Sequence, residues 1–168
     1  MQINRYSWKD YLQLTDYVKI TRNIKVIPML KFNLLHPEIL SVLGSNGHGA
    51  RILIADGNYP FSTGVPSTAR KVFLNLAPGM LSVVDVLKVI SACIPIESAL
   101  VMVPPDGAEQ PIHREFIEIL GDQTPLERTK RMEFYSAARS ADTCMIIATG
   151  EVRRFANILL TIGVVKSE

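Results

Sequence analysis

The stretch from Asn46 to Pro60 reads N-G-H-G-A-R-I-L-I-A-D-G-N-Y-P. Nowhere else does the chain place a histidine, a carboxylate and three glycines so close together. An imidazole has an ordinary pKa near 6.5 and can give or take a proton at neutral pH. A carboxylate can accept hydrogen bonds as a charged partner. The pattern therefore points to proton transfer on a bound polar molecule, with His48 and Asp56 as the groups to watch. Plainer readings stand beside this one. Asn46-Gly47 is also how a helix ends, which would leave His48 solvated near a helix terminus. Asp56 also suits a residue that merely opens a loop.

Positioning depends on the run between them. Ile52-Leu53-Ile54-Ala55 is too short for a helix and suits a buried strand. Gly47 and Gly49 free the backbone around His48 to take positive φ. Asp56 falls where the strand ends, and in open α/β sheets ligands gather at the carboxyl ends of strands.

The flanking elements follow from local signals. Leu35-His36-Pro37-Glu38 begins a first helix, with Pro37 in its first turn and Gly44 or Gly47 ending it. Residues 62–79 read as loop, with Val72-Phe73-Leu74 a possible short strand. Ser82 caps a second helix, with Asp85 three positions on in a box-like arrangement, and Pro95 stops it. Ala99 to Val103 reads as a buried strand. Pro111 to Leu120 reads as a third helix closed by Gly121, with His113 and Glu115 exposed and without chemistry. Pro125 opens a charged stretch leading to a fourth helix around Phe134–Ala138. Thr143 to Thr149 is a third strand, and Ala156 to Val165 a further apolar segment. Helices alternating with apolar strands predict an α/β class: a single-domain, three-layer α/β/α arrangement with a central, largely parallel sheet.

Residues 1–25 read as an N-terminal extension on a body of residues 26–168. Trp8, Tyr11, Leu12, Leu14 and Tyr17 can line one face of a helix, and their apolar area predicts docking on the body or on a neighbouring subunit.

The 168 residues carry a net charge of +2, with 48% apolar and 20% charged side chains. That balance fits one globular domain with some apolar surface for subunit contacts, and gives no argument for nucleic acid or an anionic membrane. The pairs Arg153-Arg154 and Lys130-Arg131 read as solvated faces. Cys93 and Cys144 lie in apolar stretches without metal spacing and are expected to be buried free thiols, as in a reducing compartment. Met1 to Lys25 is charged throughout with no long apolar core, and no run reaches the length of a membrane span. The expectation is a cytoplasmic protein.

Several motifs fail. Gly47-His48-Gly49 has Ile52 where a dinucleotide fingerprint wants glycine, and it precedes a strand instead of following one. There is no Walker-type phosphate loop and no G-x-S-x-G. His36, His48 and His113 lack metal-ligand spacing.

An ordered set of features remains. It comprises the helix before Gly47-His48-Gly49, the strand ending in Asp56, and Tyr59-Pro60. Arg131 with Phe134-Tyr135 follows, then Thr149-Gly150-Glu151, Asn157-Ile158-Leu159-Leu160 and Gly163-Val164. From about Leu30 to Val165 this set resembles the family of fucose mutarotases and ribose pyranases. The resemblance implies an isomerase that speeds interconversion of the cyclic forms of a reducing monosaccharide without metal or organic cofactor. It implies ring-shaped homo-oligomers, such as decamers, with sites at subunit junctions. By position, His48 looks like the general acid. Asp56, Arg131, Tyr135 and the triplet Phe155-Ala156-Asn157 look like sugar-binding residues. Arg131 stands where ribose-type members usually have histidine, which tips the expectation toward L-fucose or a related sugar. Two departures count the other way. Phe155 replaces the tyrosine that normally begins the triplet, and Asn58 stands where fucose-type members tend to have histidine. They favour an alternative, a catalytically weak monosaccharide-binding or accessory module of the same fold. An oligomeric scaffold is a third reading.

One tension is geometric. Eight residues from His48 to Asp56 at about 3.3 Å each span up to about 26 Å if extended, too far for one monosaccharide. Either the chain bends back at Gly49 or the two residues serve a site shared between subunits.

Overall fold

A computed structural model describes residues 33–165. The N-terminal extension foreseen over residues 1–25 lies outside the described residues.

The first helix, α1 (Pro37–Ser45), has proline at its start, where the missing N–H costs nothing. Strand β1 (Arg51–Ala55) follows after a turn in which Gly49 takes φ +84°. Strand β2 (Arg70–Phe73) comes after a long loop, then helix α2 (Val83–Ser91). The box at its start is complete: the Asp85 N–H donates to Ser82 Oγ, and the Ser82 N–H donates to Asp85 Oδ2. Losing such a cap costs about 0.5–2 kcal/mol. Strand β3 (Ile96–Val103), helix α3 (Pro111–Leu120), strand β4 (Leu126–Lys130), helix α4 (Arg131–Ala138), strand β5 (Thr143–Ala148) and strand β6 (Ile158–Ile162) complete the order.

The six strands form one sheet in the order β2-β5-β1-β6-β3-β4. β1 runs parallel to β5, β2 to β5, and β3 to β4, whereas β6 is antiparallel to both β1 and β3. The reversal has a simple cause. A parallel return needs a crossover of about a dozen or more residues, and only residues 149–157 join β5 to β6.

Side chains alternate through the sheet. Ile52, Ile54, Met145, Ile147, Ile158 and Leu160 face a core built with α1, α2 and α3. Leu53, Ala55, Ile146, Leu159 and Met102 face the other side, covered by α4 and the Tyr59–Ala69 loop. Both faces are covered, so the central strands read as unbroken apolar runs. The layers are α/β/α, with three helices on one face and one helix plus a loop on the other.

Three expectations need correction. His113 is fully buried, because it shares the inward face of α3 with Ile112 and Phe116. Cys93 is exposed and Cys144 only part-buried; α2 has already ended when Cys93 is reached. The charged stretch after Pro125 holds an unforeseen strand, β4, at the sheet edge. Its Leu-Glu-Arg-Thr-Lys sequence is what a solvent-facing edge tolerates, and charge there discourages pairing with other chains.

Candidate active site at the carboxyl end of the sheet

β6 runs against its neighbours, so its amino end lies beside the carboxyl ends of β1 and β3. A cleft of about 300 Å³ opens at this junction, at the small end of the range for small-molecule sites. Asp56 comes from the end of β1, Met102 from the end of β3, and Arg131 and Tyr135 from α4. Arg154, Phe155 and Asn157 come from the loop that enters β6, and Asn58 and Tyr59 from the turn after β1.

Asp56 is 2% exposed and every one of its polar groups is engaged. Oδ1 accepts the Asn58 N–H at 2.9 Å. Oδ2 accepts the Asn157 Nδ2–H at 2.7 Å and the Ala156 N–H at 3.3 Å. In return the Asp56 N–H donates to Asn157 Oδ1 at 2.9 Å. Burial raises the Asp56 carboxyl above its ordinary value of 3.8 and outweighs these donors, with the Glu151 charge pushing the same way. The result is a carboxylate more basic than usual, held rigidly at the cleft.

The aromatic wall is equally fixed. The Tyr59 hydroxyl donates to the Gly64 carbonyl at 2.8 Å, and burial pushes its phenol far above the usual range. The Tyr135 ring meets the Tyr59 ring edge-on at 5.4 Å. Arg131 Nε donates to the Tyr135 hydroxyl at 3.2 Å and its guanidinium lies 5.3 Å from that ring's centre. The Arg154 guanidinium lies 5.7 Å from the centre of the Phe155 ring.

Phe155 takes φ +59°, the left-handed region that a β-carbon disfavours. Its carbonyl accepts from buried His113 Nε2 at 3.3 Å. Upstream, Arg153 grips the buried Glu151 carboxylate from Nε at 3.0 Å and Nη2 at 2.8 Å, and reaches Glu115 Oε1 through Nη1 at 2.6 Å. Burial works to raise the Glu151 carboxyl, but the hydrogen bonds and charge of Arg153 hold it below the usual range. Gly150 lies against the Ala77 and Met80 carbonyls, leaving no room for a β-carbon. The loop is thus fixed from three sides.

The structure brings together Asp56, Arg131, Tyr135, Phe155 and Asn157. Ala156 is buried behind the cleft and contributes its N–H to Asp56. His48 is elsewhere. Its Nε2 pairs with Glu97 Oε2 at 2.9 Å, at the amino end of β3. Glu97 sits where the β3–β6 register shifts, a bulge that re-aims a side chain. Gly49 does turn the chain, but not back toward Asp56. The two residues flank β1, whose five residues alone span about 16 Å at about 3.3 Å each. Sequence reasoning missed Met102 and Arg154 as lining residues. Of the two arginines read as a solvated pair, Arg153 binds Glu151 and Arg154 lines the cleft; the chain turns at Arg154-Phe155, which sends the two side chains to different partners. Among the described residues no three His, Cys, Asp or Glu side chains converge as metal ligands, and no helix is long and apolar enough to cross a membrane.

The sequence profile of the RbsD / FucU transport protein family matches residues 29–165. The chain belongs to this family. It is 31% identical over 148 residues to a fucose mutarotase of Danio rerio, covering 81% of this chain and 93% of that protein. It is 33% identical over 136 residues to a D-ribose pyranase of Variovorax paradoxus, covering 81% and 98%. The solved structure of Bacillus subtilis RbsD complexed with D-ribose superposes with a TM-score of 0.71 at 25% identity, covering 82% of this chain and all of that one. The six-stranded mixed sheet with helices on both faces is the fold of this RbsD / FucU family.

Proposed function

We propose that this protein is a sugar mutarotase: an isomerase, needing no cofactor, that interconverts the cyclic forms of a reducing monosaccharide such as L-fucose. The observation that carries the reading is the Asp56–Asn157 clamp, which holds a buried carboxylate of raised basicity in a cleft of monosaccharide size. The names borne by its relatives, fucose mutarotase and D-ribose pyranase, support the same class of reaction.

Ring opening takes a proton off the anomeric hydroxyl and puts one onto the ring oxygen; closure on the other face reverses both. Asp56 is suited to accept from the anomeric hydroxyl, and a basic carboxylate does so better than an ordinary one. The Tyr135 and Phe155 rings offer stacking surfaces for the apolar face of a pyranose. Arg131 and Asn58 supply hydrogen bonds to hydroxyls.

His48 enters from an adjoining copy in this reading. The sites lie at junctions of a ring-shaped homo-oligomer such as a decamer, and the imidazole of one subunit protonates sugar held by the next. Exposed Val164 and Val165 flank the His48 surface and favour its being covered by another copy. Two free cysteines, one of them exposed, favour a reducing compartment such as the cytoplasm.

The test is NMR exchange between anomer signals of L-fucose and D-ribose with trace protein. Acceleration that is lost in Asp56→Asn supports the proposal, and no acceleration with folded protein removes it. A second reading, a binding or accessory module without efficient turnover, is favoured by Phe155, which lacks a phenolic hydroxyl, and by Asn58, which cannot titrate. Calorimetric binding of a sugar without any faster exchange would select it.

A further inference from the structure

The cleft holds two guanidinium groups from separate elements, Arg131 at the start of α4 and Arg154 in the loop before β6. Among the described residues neither meets a carboxylate; Arg70, Arg114, Arg128 and Arg153 do, and Arg51 and Arg139, outside the cleft lining, do not. Arg131 spends only Nε, on the Tyr135 hydroxyl, which leaves both terminal nitrogens unpaired among the described residues. Arg154 makes no hydrogen bond among the described residues and rests on the Phe155 ring. A guanidinium laid on an aromatic ring keeps its N–H edge available and loses little freedom on binding.

Asp56 offsets at most one of these two charges. Its two oxygens already accept three N–H groups from Asn58, Ala156 and Asn157. With two guanidinium groups against one carboxylate, the cleft carries an excess of fixed positive charge. Neutral hydroxyls can use arginine donors, but they leave that charge uncompensated. A carboxylate or phosphate matches the guanidinium fork and forms shorter, charge-assisted bonds about twice as strong as neutral ones.

We propose that the preferred substrate is an anionic monosaccharide, a reducing sugar bearing a carboxylate or phosphate ester that Arg131 and Arg154 receive while its ring lies at Asp56. The proposal rests on the mutarotase reading of the same cleft and moves its preferred sugar from the neutral L-fucose named there to an anionic one.

The test uses pairs of sugars that differ only at carbon six: D-galacturonate against D-galactose, and D-glucose 6-phosphate against D-glucose. L-fucose and D-ribose are run alongside. Anomer exchange is followed by NMR with the full-length protein. The expected result is a kcat/KM at least about tenfold higher for an anionic member than for its neutral partner, the size of one charge-assisted hydrogen bond. The advantage should shrink with rising salt and in Arg154→Gln, and return in part in Arg154→Lys. Whichever pair shows it identifies carboxylate or phosphate as the group received. Acceleration of L-fucose with no preference within either pair overturns this proposal and leaves the mutarotase standing. A preference that survives both Arg154→Gln and Arg131→Gln also overturns it. If no sugar is accelerated, the mutarotase reading fails, and calorimetric affinities of the same pairs decide the charge preference: equal affinities overturn it, tighter anion binding sustains it for a binding protein.

Discussion

The side-chain amide of Asn157 holds Asp56 at both ends, accepting its backbone N–H at 2.9 Å and donating to its carboxylate at 2.7 Å. This one contact ties the end of β1 to the start of β6 and fixes the carboxylate in the cleft. Truncating Asn157 to alanine strands a buried N–H and removes a donor from a buried charge, so Asn157→Ala should lose about 2–4 kcal/mol. Asp56→Asn removes the charge, yet both carboxylate oxygens face N–H donors, so its NH2 must meet one of them. It should cost about 1–3 kcal/mol despite relieving charge burial. Urea denaturation of the two variants and their double mutant measures both. A double mutant no worse than Asn157→Ala confirms that one network is being broken, and full additivity contradicts it.

His113 gives the fold an acid-sensitive point. It is fully buried against Phe116, its Nδ1 has no partner, and burial lowers its pKa from 6.5. The unfolded chain therefore binds a proton in a pH window where the folded chain does not. Stability from this group is intact above pH 6.5 and falls as pH drops below it, down to the lowered folded value. Asp56 has the opposite sign: its raised folded pKa makes its contribution greatest in acid and lessens it as pH rises through and above 3.8. Of the two, only the His113 trend lowers stability as pH falls from 7.5 to 5.5. Melting curves across that range should show a decline that His113→Phe flattens. The same variant deletes the donor to the Phe155 carbonyl, so sugar binding should weaken at neutral pH. An unchanged slope in the variant would assign the acid sensitivity elsewhere.

Much of this arrangement is legible in the sequence, for identifiable reasons. Ile52 to Ala55 reads as a buried strand because both sheet faces are covered, and Asp56 follows as its carboxyl-end residue. Ser82 with Asp85, and Pro111 with Gly121, are local signals that tertiary packing leaves alone. β4 is hidden because an edge strand needs no apolar face. His113 was recoverable, since Phe116 three residues on shares its helical face, but a polar residue type obscures that periodicity. The cleft's second arginine was not recoverable, because the directions of neighbouring loop side chains depend on long-range contacts such as Arg153 with Glu151. The separation of His48 from Asp56 is visible from spacing alone as a strand between two flanking residues.

Phe155 holds a backbone conformation that costs a non-glycine residue about 1–2 kcal/mol. Its ring is only half-buried and carries Arg154. Phe155→Gly should relieve the strain while deleting the ring, so the melting free energy should stay within about 1 kcal/mol of the parent. KM for the sugar should rise in the same variant, because a stacking surface and the support for Arg154 are both gone. Phe155→Ile should be the worse fold, since branching at the β-carbon adds to the strain. If Phe155→Gly unfolds at a much lower temperature, the ring's packing outweighs the backbone term and the strain argument fails.

His48 and Asp56 flank β1 within one chain, and the His48–Glu97 pair is a surface contact with side chains 58% and 54% exposed. Exposed pairs contribute about 0–1 kcal/mol, so His48→Ala should leave stability nearly unchanged and any loss of turnover would be chemical. Subunit mixing then asks where the partner of Asp56 comes from. His48→Ala and Asp56→Asn proteins, each inactive alone, are unfolded together and reassembled in equal amounts. If each site takes its imidazole from one copy and its carboxylate from another, random assembly restores about a quarter of the sites, and activity returns in the mixture. If both residues acted within one chain, no mixed oligomer would hold an intact site and the mixture would stay inactive. Full activity in His48→Ala alone would instead remove the imidazole from the reaction and leave Asp56 to find its proton donor among the residues of its own cleft.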